Sequence, residues 1–334
     1  MLLKEAFAAA KKNGVLLYDI MTERSEITTI LQRELMAFPA VFGTLAPGTP
    51  EEPAVDMASV HHFFKSVAGS PLIRPPWFFD IDQQGEGLAD VAVHLVDLVF
   101  WECFPNQSID ASGEIELAGA ESWPTPLTGD EFRSVTGLAE YPGYLRKDVR
   151  DGTLEVYSNG RLDFRLRGIH SRVTVAWNFK APEGGGDTHR SIIRGTKADL
   201  IIEQEKEQKY RPELYVRASP AIDPMGLAAG LKAAMPFLQK KYPGLKLEDE
   251  KDRWHVLIPE VYRADHEAHF GQVMERYLRF LSEGRLPAWE VSNMLAKYEL
   301  TTKALALAIA ERKVGAPRDG HNPPGPPFGK GKDK

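Results

Sequence analysis

Three side chains that could move or hold a proton, Asp90, His94 and Asp97, stand four and three residues apart in the run GLADVAVHLVDLVFWECFP. On a helix starting at about Gly87 they fall on one face, and Trp101 continues the stripe. The rest of that helix is Leu, Val, Ala and Phe nearly all round, so it is expected to be buried. A buried carboxylate without a partner is costly. The three polar residues must therefore bond one another or line a polar cavity. One reading is an Asp–His network that fixes helix packing. The other is an acid/base pair, in which the histidine transfers a proton and a carboxylate sets its tautomer.

Other segments offer further candidates. HEAH places His266 and His269 at i, i+3, and His61-His62 could join them, but the spacing is not the i, i+4 of a zinc helix. A ligand pocket or satisfied core histidines fit this spacing better than a metal, and no metal is expected. Asp187, Thr188 and His189 stand where two strands meet and could hydrogen-bond a polyhydroxylated ligand or simply solvate a turn. GEGLAD begins like a dinucleotide-binding glycine turn, but Asp90 takes the place of the third glycine and no acidic strand end follows about 20 residues on. The glycines at 184–186 are expected to form a hairpin loop.

These candidates must be positioned by an α+β scaffold. Residues 2–12 read as a helix, Val15 to Ile20 as a short apolar strand, and Ser25 to Phe38 as a second helix. That opening resembles the tail of an α/β unit. From Val55 onward strand patterns dominate: VDMASVHHFF, WFFDI, GEIELAGA, TLEVYSNG, RLDFRLRG, RVTVAWNF, ADLIIEQ and ELYVRAS, most of them alternating apolar and polar residues. Asn159-Gly160 predicts a tight hairpin turn between TLEVY and RLDFRL. Two amphipathic helices close the chain, over His266–Leu281 and Trp289–Lys313, before a Pro-, Gly- and Lys-rich tail expected to be disordered. The expected organisation is residues 1–38 as the residual end of a Rossmann-like unit, 39–312 as a large, mainly antiparallel open sheet flanked by helices, and 313–334 as tail.

Composition narrows the function. The 334 residues carry 41 basic and 47 acidic side chains, a net charge of -6, with no basic stripe for phosphates, so nucleic acid is not an expected partner. A single cysteine, Cys103, excludes an internal disulfide and fits a cytoplasmic, reducing compartment. No apolar run approaches the roughly 20 residues that cross a bilayer, so no membrane partner is expected. The alternating strands between Gly113 and Ser219 offer more sheet face than few helices can cover, which predicts a homo-oligomer built on an apolar sheet face.

QQGEGLADVAVHLVDLVFWE resembles the G-G-x-x-x-D-x-x-x-H-x-x-D segment of the glucose–fructose oxidoreductase / inositol dehydrogenase (Gfo/Idh/MocA) family. MLLKEAFAAAKKNGVLLYDIMTER is similar to the end of that family's Rossmann domain. SVHHFFK, RPPWFFD, WNFKAPEGGGDTH, RGTKADLIIEQ, HEAHF and LPAWEVSNMLAKYELTTKAL are similar to a subgroup with a distinctive C-terminal domain, so the resemblance covers roughly residues 1–310. It implies an NAD- or NADP-dependent oxidoreductase acting on a sugar or polyol hydroxyl. His94 would be the proton-transferring residue, Asp90 its electrostatic partner and Asp97 an orienting group behind them, with Asp187, His189, His266, His269 and Trp101 as candidates for the substrate. The family's glycine turn and the lysine of its E-K-P motif are not in this sequence, which implies a truncated chain that does not bind the dinucleotide alone. A non-catalytic carbohydrate-binding or assembly module derived from the family is the alternative.

Overall fold

A computed structural model of the protein describes residues 2–67, 70–182, 184–220 and 222–314. Its helices are α1 (Leu2–Lys12), α2 (Ile27–Met36), α3 (Ile81–Gln84), α4 (Ala92–Cys103), α5 (Gly129–Thr136), α6 (Pro224–Lys241), α7 (His266–Glu283) and α8 (Ala288–Val314). The strands are β1 (Val55–Phe64), β2 (Ser66–Val67), β3 (Ser70–Pro71), β4 (Ile115–Leu127), β5 (Val149–Arg150) and β6 (Thr153–Leu166). They continue with β7 (Ile169–Lys180), β8 (Thr188–Arg194), β9 (Ala198–Gln204), β10 (Glu213–Ala218), β11 (Lys246–Asp249) and β12 (Trp254–Leu257).

The expected α+β architecture is present. One sheet runs β11-β12-β10-β9-β8-β1-β7-β6-β4, with β5 on β6; its pairs are antiparallel except for β1 with β7. The strands alternate, and alternation decides what each face does. Leu154, Val156, Leu162, Phe164 and Leu166 of β6 enter the main core, together with Val55, Met57 and Phe63 of β1. Helices α2, α4 and α8 supply Leu31, Leu35, Val96, Val99, Phe100, Leu300 and Ala304 to the same core. The opening of the chain is thus partly built into it: α2 packs on β9, β10 and α4.

The opposite face keeps a small apolar cluster, Ile192, Ile201 and Tyr215 of β8, β9 and β10, but on β4, β6 and β7 it differs from the apolar patch expected of it. Arg161 pairs with Glu121 at 3.2 Å and with Asp163 at 3.3 Å, Arg172 pairs with Asp163 at 2.6 Å, and Arg165 pairs with Glu116. Large apolar side chains that are exposed lie elsewhere, as at Met274, Leu278 and Leu281 of α7. Long charged side chains have taken over the covering that an apolar interface was expected to provide.

Four local expectations are corrected. Asn159-Gly160 makes no hairpin: β6 runs unbroken through it and neither residue has positive φ. The asparagine instead cross-links strands, accepting from Trp177 N–H at 2.6 Å and donating to Trp123 O at 3.0 Å and Thr125 Oγ1 at 2.8 Å, where the β4–β6 register shifts. A Cβ on Gly160 would lie 2.6 Å from Leu88 Cγ, so glycine is required there for close packing, not for a turn. Val15 to Ile20 pairs with no strand, and Val15 and Ile20 are more than half exposed. WFFDI is a 3-10 turn, Pro76–Phe79, running into α3. The glycines 184–186 lie on a crossover and not in a hairpin loop, because β1 lies between β7 and β8. The predicted tail lies outside the described residues from 315 onward.

Candidate active-site cleft

The crossover loop, the end of β1, the start of α4, the 3-10 turn Thr22–Ser25 and the start of α7 enclose one cleft of about 1290 Å³. Five of its lining residues are histidines: His61, His62, His94, His189 and His269.

His94 reaches the cleft because α4 begins at Ala92, five residues later than the sequence suggested. Gly87 is held against the sheet: its N–H donates to Tyr157 O at 3.2 Å, and a Cβ there would sit 2.1 Å from Ser158 O. The chain must leave that contact through a turn before a helix can start. Asp90 therefore belongs to the turn, and of the expected stripe only His94 lines the cleft. Burial raises the Asp90 carboxyl, against a hydrogen bond from Gln84 and the nearby His94, His61 and Arg74. Burial also lowers the His94 pKa, against Glu23, Asp97 and Asp90, so the ring is neutral at pH 7. Its Nδ1 is buried without a hydrogen-bond partner, and no described side chain or backbone group bonds Nε2.

Asp97 faces away from the cleft into an ion cluster. Arg24 clamps it with Nε on Oδ2 at 2.5 Å and Nη2 on Oδ1 at 2.6 Å, and Lys297 Nζ donates to Oδ1 at 2.6 Å. Lys297, fully buried, also meets Asp19 at 2.7 Å, and Arg24 also reaches Glu290 at 3.0 Å. Burial would push Asp97 up, but Arg24 and Lys297 overcome it and hold the carboxyl far below its usual range. This cluster ties α4 to α8 and to the Thr22–Ser25 turn. Trp101 likewise leaves the cleft, with the Arg33 guanidinium 4.1 Å from its ring centre.

The other end of the cleft is organised by Asp187. Its Oδ1 is 3.0 Å from His62 Nδ1, and its Oδ2 is 2.8 Å from Lys65 Nζ and 3.5 Å from His61 Nδ1. Burial would raise this carboxyl; hydrogen bonds from His61, His62 and Lys65 overcome it and bring the pKa down. Trp177, opposite His61 in the β1–β7 register, stacks on that ring at 5.0 Å between centroids. His189 pairs with Ser59 across β1–β8, and burial lowers its pKa as well. His269 Nε2 lies 3.8 Å from Glu26 Oε2, while the side chain of His266 is outside those described.

The structure thus brings His94, Asp187, His189 and His269 together and leaves out Asp97, Trp101 and the carboxylate of Asp90. Glu23, Lys65 and Trp177 line the same cleft and were not singled out from sequence, although Lys65 stands three residues after His62. Among the described residues no three His, Cys, Asp or Glu side chains are grouped to hold a metal, and no helix is long and apolar enough to cross a membrane.

A large mixed sheet backed by helices thus carries a cleft lined by five histidines at the end of β1. The family described as "Putative oxidoreductase C terminal domain" matches residues 31–309, and the chain belongs to it. A "putative oxidoreductase" from Parabacteroides merdae is 53% identical with a TM-score of 0.91, over 93% of this chain and 71% of that one. Levoglucosan dehydrogenase in its apo form is 12% identical with a TM-score of 0.55, over 92% of this chain and 68% of that one. KijD10, a 3-ketoreductase from Actinomadura kijaniata in complex with NADP and TDP-benzene, is 12% identical with a TM-score of 0.51, over 91% and 66%. At that identity the last two show the fold alone. No curated protein matches the sequence.

Proposed function

We propose that the cleft is the sugar- or polyol-binding half of an oxidoreductase active site of the Gfo/Idh/MocA type, with His94 receiving the proton of the hydroxyl that is oxidised. The observation that carries this reading is the place of His94: set in the first turn of α4 and lining the cleft, with Nδ1 buried without a hydrogen-bond partner and burial lowering the ring's pKa. A base in that state is ready to accept a proton from a bound hydroxyl. Asp90, close enough to favour the protonated ring, stabilises the imidazolium that forms. The Asp97 cluster, buried beneath, fixes α4 and with it the ring. Asp187, braced by His62 and Lys65, and His189 give the cleft wall polar groups that can hydrogen-bond hydroxyls. Trp177, buried and stacked on His61 and Phe63, stiffens the cleft wall that carries His61.

NAD or NADP would supply the two-electron acceptor, as the names of the structurally similar proteins suggest. The described residues do not fit its phosphates. Gly87, the nearest thing to a phosphate glycine, is used up against Ser158, and glycines 184–186 lead into a strand rather than a helix N-terminus.

The test is saturation-transfer NMR with a panel of monosaccharides and cyclic polyols, followed through the His94 imidazole resonances. Binding that shifts His94, is lost in Asp187→Ala and is retained in His94→Gln supports the reading. A panel in which no member binds, or binding that leaves every cleft histidine unperturbed, refutes it.

A further inference from the structure

The sugar-site reading gives no role to Glu23. This residue sits on the 3-10 turn Thr22–Ser25, whose other side chains are buried, Arg24 among them in the Asp97 cluster. The turn is pinned from behind, and it presents Glu23, beside the buried Thr22, to the cleft. Its carboxylate accepts from Thr22 Oγ1 at 3.1 Å, and no lysine or arginine among the described residues pairs with it. Of the other acids lining the cleft, Glu267 is exposed at the start of α7 and two are occupied. Asp187 is held by His62 and Lys65, and Glu26 caps α2 through Thr28 and faces His269. Glu23 lines the same cleft as His94 and His189, and its charge favours their protonated forms against burial, which lowers both pKa values. Glu23 thus adds to the cleft, beside the charge of Asp90 near His94, a negative charge that no described lysine or arginine pairs with.

We infer that Glu23 sets the charge class of the ligand: it accepts a hydrogen bond from a donor on the sugar, an ammonium best of all, so that the cleft takes amino sugars ahead of neutral ones and turns away sugar acids and sugar phosphates. The inference rests on the sugar-site reading. Its physical basis is that a carboxylate in a partly enclosed, partly dehydrated site attracts a cation and repels an anion far more strongly than it would in open water. Neither lysine of the cleft offsets this. Lys65 is committed to Asp187, and Lys180 is exposed, 5.1 Å from the Phe64 ring centre.

The experiment compares the amino, neutral and uronic acid members of the gluco and galacto series by saturation-transfer titration at pH 7.5, on the wild-type chain and on Glu23→Gln. Wild type is expected to bind the amino member at least about tenfold more tightly than the acid, the scale of one partly screened charge. Glu23→Gln, which keeps shape and hydrogen bonding, is expected to erase that order. A second readout needs no ligand: titration of the His94 and His189 imidazoles by NMR, in which Glu23→Gln should lower both pKa values further. Equal or tighter binding of the uronic acid, an order of affinities that survives Glu23→Gln, or imidazole titrations that the variant leaves unmoved would each overturn the inference while leaving the sugar site standing. If no member of either series binds, the sugar site itself is refuted and the inference falls with it.

Discussion

Asp97→Asn is expected to act on stability, not on ligand. Asp97 is 1% exposed and takes three charge-assisted hydrogen bonds, two from Arg24 and one from Lys297, neither of which is more than 3% exposed. Asparagine fills the same space but removes the charge, and its NH2 group would point at a guanidinium or an ammonium. Breaking one member out of a buried ion pair costs about 3–5 kcal/mol, most of it the penalty on the charges left behind. Here both cations keep a second partner, Glu290 for Arg24 and Asp19 for Lys297, which favours the lower end, about 3 kcal/mol. With an unfolding entropy of about 2 cal/mol/K per residue, that corresponds to a fall in Tm of roughly 4–5 °C for a chain of this size. Urea denaturation followed by near-ultraviolet circular dichroism would measure it. Adding Arg24→Gln should cost less than the two single changes summed, by about 1–3 kcal/mol, because the second change relieves a charge that the first left stranded. Sugar binding per folded molecule should remain. Should Asp97→Asn melt with wild type and lose its ligand, the cluster is not structural and Asp97 belongs to the cleft.

Two further outcomes follow from the same geometry. His94 and His189 both have pKa values lowered from the ordinary 6.5, so their contribution to stability is complete above that value and is lost as pH falls below it toward their folded-state values. Urea midpoints taken from pH 7.5 to 5.5 should therefore decline, and less steeply in His189→Gln; a flat profile in wild type contradicts the burial of these rings. Gly87→Ala puts a methyl 2.1 Å from the Ser158 carbonyl, a backbone atom that cannot yield, and should cost upwards of about 2 kcal/mol and loosen the start of α4. Unchanged stability, with the His94 resonances unmoved, would show that this contact does not set where the helix begins.

Much of this was legible in the residues, and the failures have physical causes. Alternation in TLEVY, RLDFRL and RVTVAW announced an open sheet with one buried face, because that period is local. His94 could be found from its place in an apolar run. The stripe through Asp90, His94 and Asp97 could not be resolved, since helical spacing says which residues share a face but not what the face meets. Arg24 and Lys297, which claim Asp97, lie 73 and 200 residues away along the chain. Asn159-Gly160 misled because the same dipeptide that favours a tight turn also suits a crowded strand crossing, where Gly160 yields to Leu88 and Asn159 bridges strands. Glu23 carried no signal at all: an acid in a polar turn reads as solvated until the turn is known to be nailed down by its neighbour.

The placement of β1 bears on how the molecule comes into being. It is the first strand of the large sheet to be synthesised, yet it ends up in the interior of that sheet, between β7 at residues 171–180 and β8 at residues 188–193. At roughly 5–20 residues per second, VDMASVHHFF waits on the order of ten seconds on the ribosome before either neighbour exists. For that interval it is a β-prone segment with both edges open, the kind of sequence that pairs with the wrong chain. The antiparallel strands β8, β9 and β10 can assemble locally as they emerge, whereas the parallel union of β1 with β7 closes a loop of more than a hundred residues and is the slow kind of contact. The cleft is built on that same late seam, since His61, His62 and Trp177 meet across it. A nascent chain would gain its sheet before it gained its binding site.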